Sequence, residues 1–148
     1  MKVLFFAALV AAAQAVDYTV TVKTGTVSSA SSNGWFYAAA LDLDGNMLNL
    51  GLLDNPDKDD FESGNTDVFK FSIGVDLQKI ACLIIRAGNP DRSTDAWMID
   101  SASITSSTDD KGVTGKNTDN IWVSADTSEA QLGLMFCADR TASLVNRK

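Results

Sequence analysis

The sequence predicts an all-β protein, an antiparallel β-sandwich of about eight strands, on two observations. Apolar residues recur with a period of two along short segments, and clusters of Gly, Asn, Asp, Ser and Pro separate those segments. No segment sustains the 3.6-residue period of an amphipathic helix with caps. Short alternating segments joined by polar turns are typical of a sandwich.

The strands are taken in chain order. In residues 18–24, Tyr18, Val20 and Val22 point to one side and the Thr and Lys residues between them to the other, as in a half-buried strand. Residues 80–86 are apolar on both faces, which predicts a central strand. The other predicted strands are residues 35–43, 68–73, 98–105, 121–124 and 132–137.

The first 15 residues have the pattern of a secretory signal peptide. A basic residue, Lys2, precedes an apolar run over residues 3–13, and A-Q-A ends at Ala15. The run is shorter than the roughly 20 residues of a membrane-spanning helix. We therefore expect a secreted, extracellular protein in which residues 16–148 form a single domain with a short polar C-terminal tail.

The net charge limits the classes of partner. Removing residues 1–15 takes away Lys2 and no acidic residue, which leaves 11 basic and 19 acidic residues and a formal charge of -8. This charge argues against a nucleic-acid partner, because phosphates are bound by basic surfaces. It suits a cation such as calcium, while the oligomeric state stays open.

Two cysteines, Cys82 and Cys137, occur in a chain expected in an oxidising compartment. We predict that they form a disulfide. It would close a loop of about 55 residues and stabilise the fold by roughly 4 kcal/mol in the chain-entropy model. Two buried free thiols are the alternative.

Catalysis finds little support in the composition. The chain has no histidine, which excludes Ser-His and Cys-His nucleophile systems and histidine-ligated zinc. No G-x-S-x-G, Walker or dinucleotide-binding motif occurs. A pair of carboxylates suited to glycoside hydrolysis remains, but among 19 acidic residues such pairs arise by coincidence. We expect this chain not to be an enzyme.

Three consecutive aromatic residues, Trp35, Phe36 and Tyr37, follow the polar segment 28–34. Side chains alternate along a strand, so the three cannot all face one core. An exposed aromatic side chain on a loop tip suits the membrane interface, and we predict that these residues bind lipid. In the alternative, Trp35 and Tyr37 begin the core face and Phe36 packs under a loop. Trp97 and Trp122 are expected to be buried or half-buried.

Two polar turns offer the oxygen ligands that calcium prefers. Asn89, Asp91 and Asp95 lie in one turn, and Asp42 and Asp44 lie in another, where Asn46 continues their spacing. The second turn lacks the later Gly and Glu of an EF-hand loop. Both groups are predicted calcium ligands, with turn stabilisation through their own backbone as the alternative.

Acidic residues also cluster in residues 57–67. Asp57, Asp59 and Asp60 form a third group with the same two alternatives, an ion site or a solvated turn. Glu62 and Asp67 flank the sequence S-G-N-T, and we expect them to fix that turn through hydrogen bonds to the backbone.

Three segments together resemble a known family. They are Y-T-V-T-V-K-T-G at 18–25, L-L-D-N-P-D-K-D-D-F-E-S-G-N-T-D-V-F-K-F at 52–71, and I-I-R-A-G-N-P-D-R-S-T-D-A-W-M-I-D-S-A-S-I at 84–104. In order and spacing they resemble the PLAT/LH2 domain of lipoxygenases, lipases, polycystins and bacterial α-toxin. The most specific piece, F-E-S-G-N-T-D-V-F at 61–69, resembles the family's F-x-x-G-S-T-D-x-F. The resemblance covers most of residues 16–137.

The resemblance implies an eight-stranded antiparallel sandwich that binds membrane lipid or a partner protein, sometimes with calcium. Two hypotheses follow. In the first, Trp35 and Phe36 insert into a lipid surface while calcium bridges acidic loops to phosphate headgroups. In the second, the chain is an extracellular interaction or matrix component whose exposed sandwich face docks another protein.

Overall fold

Two antiparallel sheets form the structure, a computed structural model that describes residues 14–88, 95–126, 130–138 and, by backbone alone, 143–145. The strands are β1 (Val16–Thr24), β2 (Phe36–Asp42), β3 (Met47–Leu52), β4 (Thr66–Ile73), β5 (Ile80–Ala87), β6 (Trp97–Ser106), β7 (Val113–Lys116), β8 (Trp122–Val123), β9 (Gly133–Cys137) and β10 (Ser143–Val145). The predicted antiparallel sandwich is thereby confirmed. Within those ranges we find no helix with the length and apolar character needed to cross a membrane.

Each sheet contains five strands. The first sheet has the order β4-β1-β6-β7, with the short β8 also paired to β6, and the second has the order β10-β9-β5-β2-β3. All of these pairings are antiparallel. As predicted, β5 is a central strand, hydrogen-bonded to β2 on one side and β9 on the other.

The core lies between the sheets and follows the alternation of the sequence. Tyr18, Val20 and Val22 of β1 are at most 1 % exposed. From the second sheet, core side chains include Phe36, Leu83, Ile85, Leu134 and Phe136. Trp97 is fully buried, and its indole N–H donates a 3.0 Å hydrogen bond to the Thr24 hydroxyl, while Trp122 is half-buried. Both tryptophans lie as the sequence predicts.

The pattern did not predict three of the strands, β3, β7 and β10. In β3, Asn49 and Gly51 interrupt the apolar alternation, and the register with β2 shifts between Ala38 and Ala39. In β7, Gly115 passes so close to Phe136 that a Cβ would lie 3.0 Å from its ring. Close packing therefore requires a residue that weakens the sequence signal for a strand.

The predicted disulfide is present. Cys82 and Cys137 are directly paired in the β5–β9 ladder, with their Cα atoms 4.0 Å apart and their sulfur atoms bonded at 2.06 Å. The cross-link therefore joins two neighbouring strands of the second sheet, at positions 55 residues apart in the chain.

The loops gather at two ends of the sandwich. One end, which we call the Trp35 end, carries the β1–β2 loop (residues 25–35), the β3–β4 loop (53–65) and the β5–β6 loop (88–96). Backbone hydrogen bonds join these loops at this end. The opposite end carries the β2–β3 hairpin turn (43–46), the β4–β5 loop (74–79) and the β6–β7 loop (107–112).

Candidate functional site

The β1–β2 loop is held against both of its neighbours at the Trp35 end. The Ser32 amide donates to the carbonyl oxygen of Phe61 in the β3–β4 loop at 3.3 Å. The Gly88 amide donates to the Trp35 carbonyl oxygen at 2.6 Å, and the Met98 amide at the start of β6 donates to the Ala30 carbonyl oxygen at 3.1 Å. Three loops that are distant in sequence therefore form one surface.

Two large apolar side chains project from the anchored β1–β2 loop. Trp35, directly before β2, is 42 % exposed, and Val27 is 46 % exposed. The loop is fixed from within, because Ala30 is fully buried and the Ser32 hydroxyl accepts a 2.9 Å hydrogen bond from the Gly34 amide. Sequence reasoning missed Val27, a lone apolar residue among Thr and Ser with no pattern to mark it.

Phe36 corrects one prediction. It is 1 % exposed, and its ring centroid lies 4.7 Å from that of Trp97 and 5.4 Å from that of Phe61. The prediction that Phe36 inserts into lipid is therefore wrong, because β2 begins at this residue and its alternation turns the ring into the core.

Tyr37 is also separated from Trp35. It points to the outer face of the second sheet, opposite Arg86 in the ladder, and is half-buried. A Cβ at Gly88 would approach its ring to 3.0 Å. The three aromatic residues therefore face three directions, and Trp35 alone is the exposed one at the loop end.

A cleft of about 250 Å³ lies beside Trp35. Its walls include Asn33, Trp35, Leu52, Asp54, Lys58 and Asp59. An exposed indole and several charged side chains thus line one depression between the β1–β2 and β3–β4 loops.

Two of the acidic residues near the cleft hold the β3–β4 loop together. Asp60 accepts hydrogen bonds from the Asn55 amide at 2.7 Å and the Asn55 side chain at 2.9 Å. Asp67, with a side chain only 1 % exposed, accepts from the Phe61 amide at 2.9 Å and pairs with the Lys58 ammonium. The expectation that Asp67 fixes this turn is confirmed.

The Lys58 ammonium ties these carboxylates together. Its hydrogen bond to Asp67 raises the pKa of Lys58, and the charges of Asp67 and Asp60 act in the same direction. Because the Asp60 and Asp67 oxygens already serve the loop and the lysine, they are poor candidates for calcium ligands.

The Asp42 and Asp44 prediction places calcium at the opposite end, and the hairpin there does not fit it. Asp42 accepts hydrogen bonds from the Asp44 amide at 2.9 Å, the Asn46 amide at 2.8 Å and the Asn46 side chain at 2.7 Å. The Asn46 side chain contributes most to lowering the pKa of Asp42. The Asp42 oxygens therefore close the turn, and nowhere in the described ranges do three acidic or sulfur ligands gather around a metal position.

Asp95 lies beside the Trp35 loop. Its carboxylate accepts a 3.4 Å hydrogen bond from the Asn33 amide, and its carbonyl oxygen accepts one from the Ser32 hydroxyl at 3.2 Å. Asn89 and Asp91, the other two predicted ligands of this loop, lie outside the described residues. Sequence reasoning did not foresee this adjacency, because it depends on β5 pairing with β2.

Comparison with known proteins identifies relatives of this architecture. A family model described as the PLAT/LH2 domain matches residues 18–136. No curated protein sequence matches the chain. A lipoxygenase carrying the change Delta413-417:GS is 21% identical with a TM-score of 0.61, over 82% of this chain and 16% of its own.

Two other solved structures share the fold. The alpha toxin of Clostridium absonum is 20% identical with a TM-score of 0.59, over 75% of this chain and 30% of its own. Coral 8R-lipoxygenase, described as activated by calcium through a C2-like domain, is 20% identical with a TM-score of 0.59, over 82% of this chain and 16% of its own. The chain thus spans between about a sixth and a third of these proteins.

Proposed function

Because this chain belongs to the PLAT/LH2 domain family, we propose that it is a secreted, non-catalytic module that associates with a membrane lipid surface through Trp35, assisted by calcium. The signal-like first 15 residues and the Cys82–Cys137 disulfide support export, since disulfides persist in oxidising compartments. The lack of histidine and of nucleophile motifs supports a binding role.

The exposure of Trp35 carries the proposal. An indole combines an apolar body with a polar N–H, and this places tryptophan at the boundary between lipid headgroups and acyl chains. Val27 adds a second apolar side chain to the same loop. Hydrogen bonds from Gly88 and Met98 fix that loop to the sandwich, so ordering it on lipid costs little entropy.

Calcium enters the proposal through charge. With 19 acidic and 12 basic residues the chain is repelled by an anionic membrane, and a divalent cation between carboxylates and lipid phosphates offsets that repulsion. Asp95 is the described residue placed for this role, since its carboxylate contacts the loop that carries Trp35. The calcium activation described for coral 8R-lipoxygenase supports the same role here.

Vesicle co-sedimentation tests the proposal. Mixed phosphatidylcholine and phosphatidylserine vesicles are incubated with the secreted form, residues 16–148, in calcium or in EDTA at near-physiological salt. We expect calcium-dependent pelleting of the wild type, and its loss in Trp35→Ala.

Leu43→Ala is the matched control, because Leu43 is 71 % exposed at the opposite end of the sandwich. It should pellet like the wild type. An absence of pelleting in both conditions, or pelleting of Trp35→Ala equal to that of the wild type, overturns the proposal.

A further inference from the structure

The outer faces of the two sheets differ in chemistry. The outer face of the first sheet is mostly hydroxyl and lysine side chains, with Thr19, Thr21 and Lys23 along its central strand β1. The outer face of the second sheet is apolar. Its side chains are Tyr37, Ala39, Leu41, Met47, Leu52, Ile84 and Met135, grouped around the Cys82–Cys137 disulfide.

The strand register makes this apolar surface, which we call the β5 outer face, continuous across four strands. One row runs Met47, Leu41, Cys82, Cys137; the next runs Asn49, Ala39, Ile84, Met135; and the third runs Leu52, Tyr37, Arg86, Gly133. Ala39 is only 4 % exposed although it is absent from the core between the sheets, because its neighbours in these rows cover it.

A solvent-facing side of an antiparallel sheet ordinarily alternates to polar residues. Four strands about 4.8 Å apart and three rows about 6.8 Å apart give the β5 outer face a flat footprint of roughly 400 Å². Contiguous apolar patches of a few hundred Å² on a small protein mark interaction sites. Met47, 60 % exposed at its margin, shows that the apolar character extends to the rim.

Residues next to the face are too few to cover it. Residues 139–142 connect the neighbouring strands β9 and β10, and three residues follow Val145. At about 3.5 Å per residue, three residues reach roughly 10 Å, less than the distance from β10 to β3 across five strands about 4.8 Å apart. The cover must come from another molecule.

We propose that a second copy of this chain covers the β5 outer face, in a two-fold dimer with the two sheets packed face to face. The charges favour this occupant. Arg86 is the one charged side chain on the described part of the face, although the chain carries a net charge of -7. Two copies therefore meet here without bringing carboxylates together, and each apolar face is matched by its symmetry equivalent.

The area sets the strength of the dimer. The accessible surface of a side-chain layer exceeds its flat footprint, and with a rim it approaches the roughly 800 Å² per partner of a standard interface. A dimer at this lower limit dissociates in the micromolar range, where each tenfold change in Kd is about 1.4 kcal/mol. The face excludes Trp35, so a dimer leaves the Trp35 end free for lipid.

Sedimentation velocity of residues 16–148, from micromolar to several hundred micromolar, tests the proposal. We expect a reversible dimer in the wild type. Ile84→Glu and Met47→Glu should each raise Kd by about tenfold or more, since each places a carboxylate in the apolar contact. If Ile84→Glu fails to fold, Met47→Glu decides, because that side chain is already largely exposed.

The matched controls are Thr21→Glu and Val68→Glu, which alter the outer face of the first sheet. Both should dimerise as the wild type does. A monomer at every concentration overturns the proposal, as does a dimer that persists in both Ile84→Glu and Met47→Glu. A monomer whose vesicle or protein binding requires Met47 would assign the face to that partner and also overturn it.

Discussion

The backbone amide of Gly88 donates a 2.6 Å hydrogen bond to the carbonyl oxygen of Trp35. At the other side of the same β5–β6 loop, the Asp95 carboxylate accepts a hydrogen bond from the Asn33 amide. Both margins of the loop predicted to hold calcium therefore contact the loop that presents the exposed tryptophan. A calcium ion bound there would lie at the lipid-facing end of the molecule.

Trp35 and Phe36 are neighbours with opposite roles, and their alanine variants should separate binding from stability. Phe36→Ala should cost about 3–5 kcal/mol, because it opens a cavity among Phe61 and Trp97. Trp35→Ala should change the free energy of unfolding by less than about 1 kcal/mol. Urea denaturation measures both, and a large loss of stability in Trp35→Ala would show that the indole serves the fold.

The disulfide joins residues 55 apart in the sequence, so it restricts the unfolded chain considerably. Replacing both cysteines by serine should lower the free energy of unfolding by roughly 4 kcal/mol in the chain-entropy model. Denaturation of the wild type with and without reductant gives an independent value. A loss below about 1 kcal/mol would contradict this account of the cross-link.

Lys58 neutralises the buried Asp67 carboxylate. The Lys58 side chain is 47% exposed and that of Asp67 is 1% exposed, so Lys58→Ala leaves a buried carboxylate without its cation. We expect a loss of about 2 kcal/mol, below the range for a fully buried pair because solvent screens the lysine. Lys70→Ala, on the exposed side of β4, is the control and should change stability by less than about 0.5 kcal/mol. Equal effects would exclude the ion pair as a source of stability.

Asp109 makes stability depend on pH. Its carboxylate accepts hydrogen bonds from the Ile80 amide at 2.9 Å and the Gly112 amide at 3.1 Å. These bonds, that from Ile80 first, hold the pKa of Asp109 below its ordinary value of 3.8. A carboxyl with a lowered native pKa stabilises the fold above its unfolded pKa and loses that contribution as the pH falls through the native value.

Asp109→Asn should therefore cost about 1–2 kcal/mol at neutral pH and much less at about pH 3. Asp110→Asn, at the exposed neighbouring position, serves as the control and should show no such trend. Urea denaturation at the two pH values measures the difference. A cost that stays constant with pH would indicate a packing effect instead of a charged hydrogen bond.

Features fixed by local alternation could be predicted from the sequence. The inward side of β1, the central position of β5 and the burial of Trp97 all follow from which residues are apolar and how they are spaced. Strand β3 escaped prediction because a bulge and Gly51 break its period.

The candidate site depended more on tertiary structure. The sequence marked Trp35 as one of three aromatic residues, but only the start of β2 at Phe36 shows which side chain turns outward. Likewise, the composition marked Asp42 as a calcium ligand without showing that Asn46 donates hydrogen bonds to its carboxylate. Contacts between loops set these roles, and such contacts leave no periodic signal.

Fluorescence quenching by brominated lipid tests the central claim, insertion of Trp35, most directly. The chain has three tryptophans, of which Trp97 is fully buried and Trp122 is half-buried in β8. The difference between the wild type and Trp35→Phe therefore reports on Trp35. With calcium and vesicles of bromine-labelled acyl chains, the account predicts strong quenching of the wild type and little quenching of Trp35→Phe. Equal quenching of the two proteins, or quenching of neither, would contradict it.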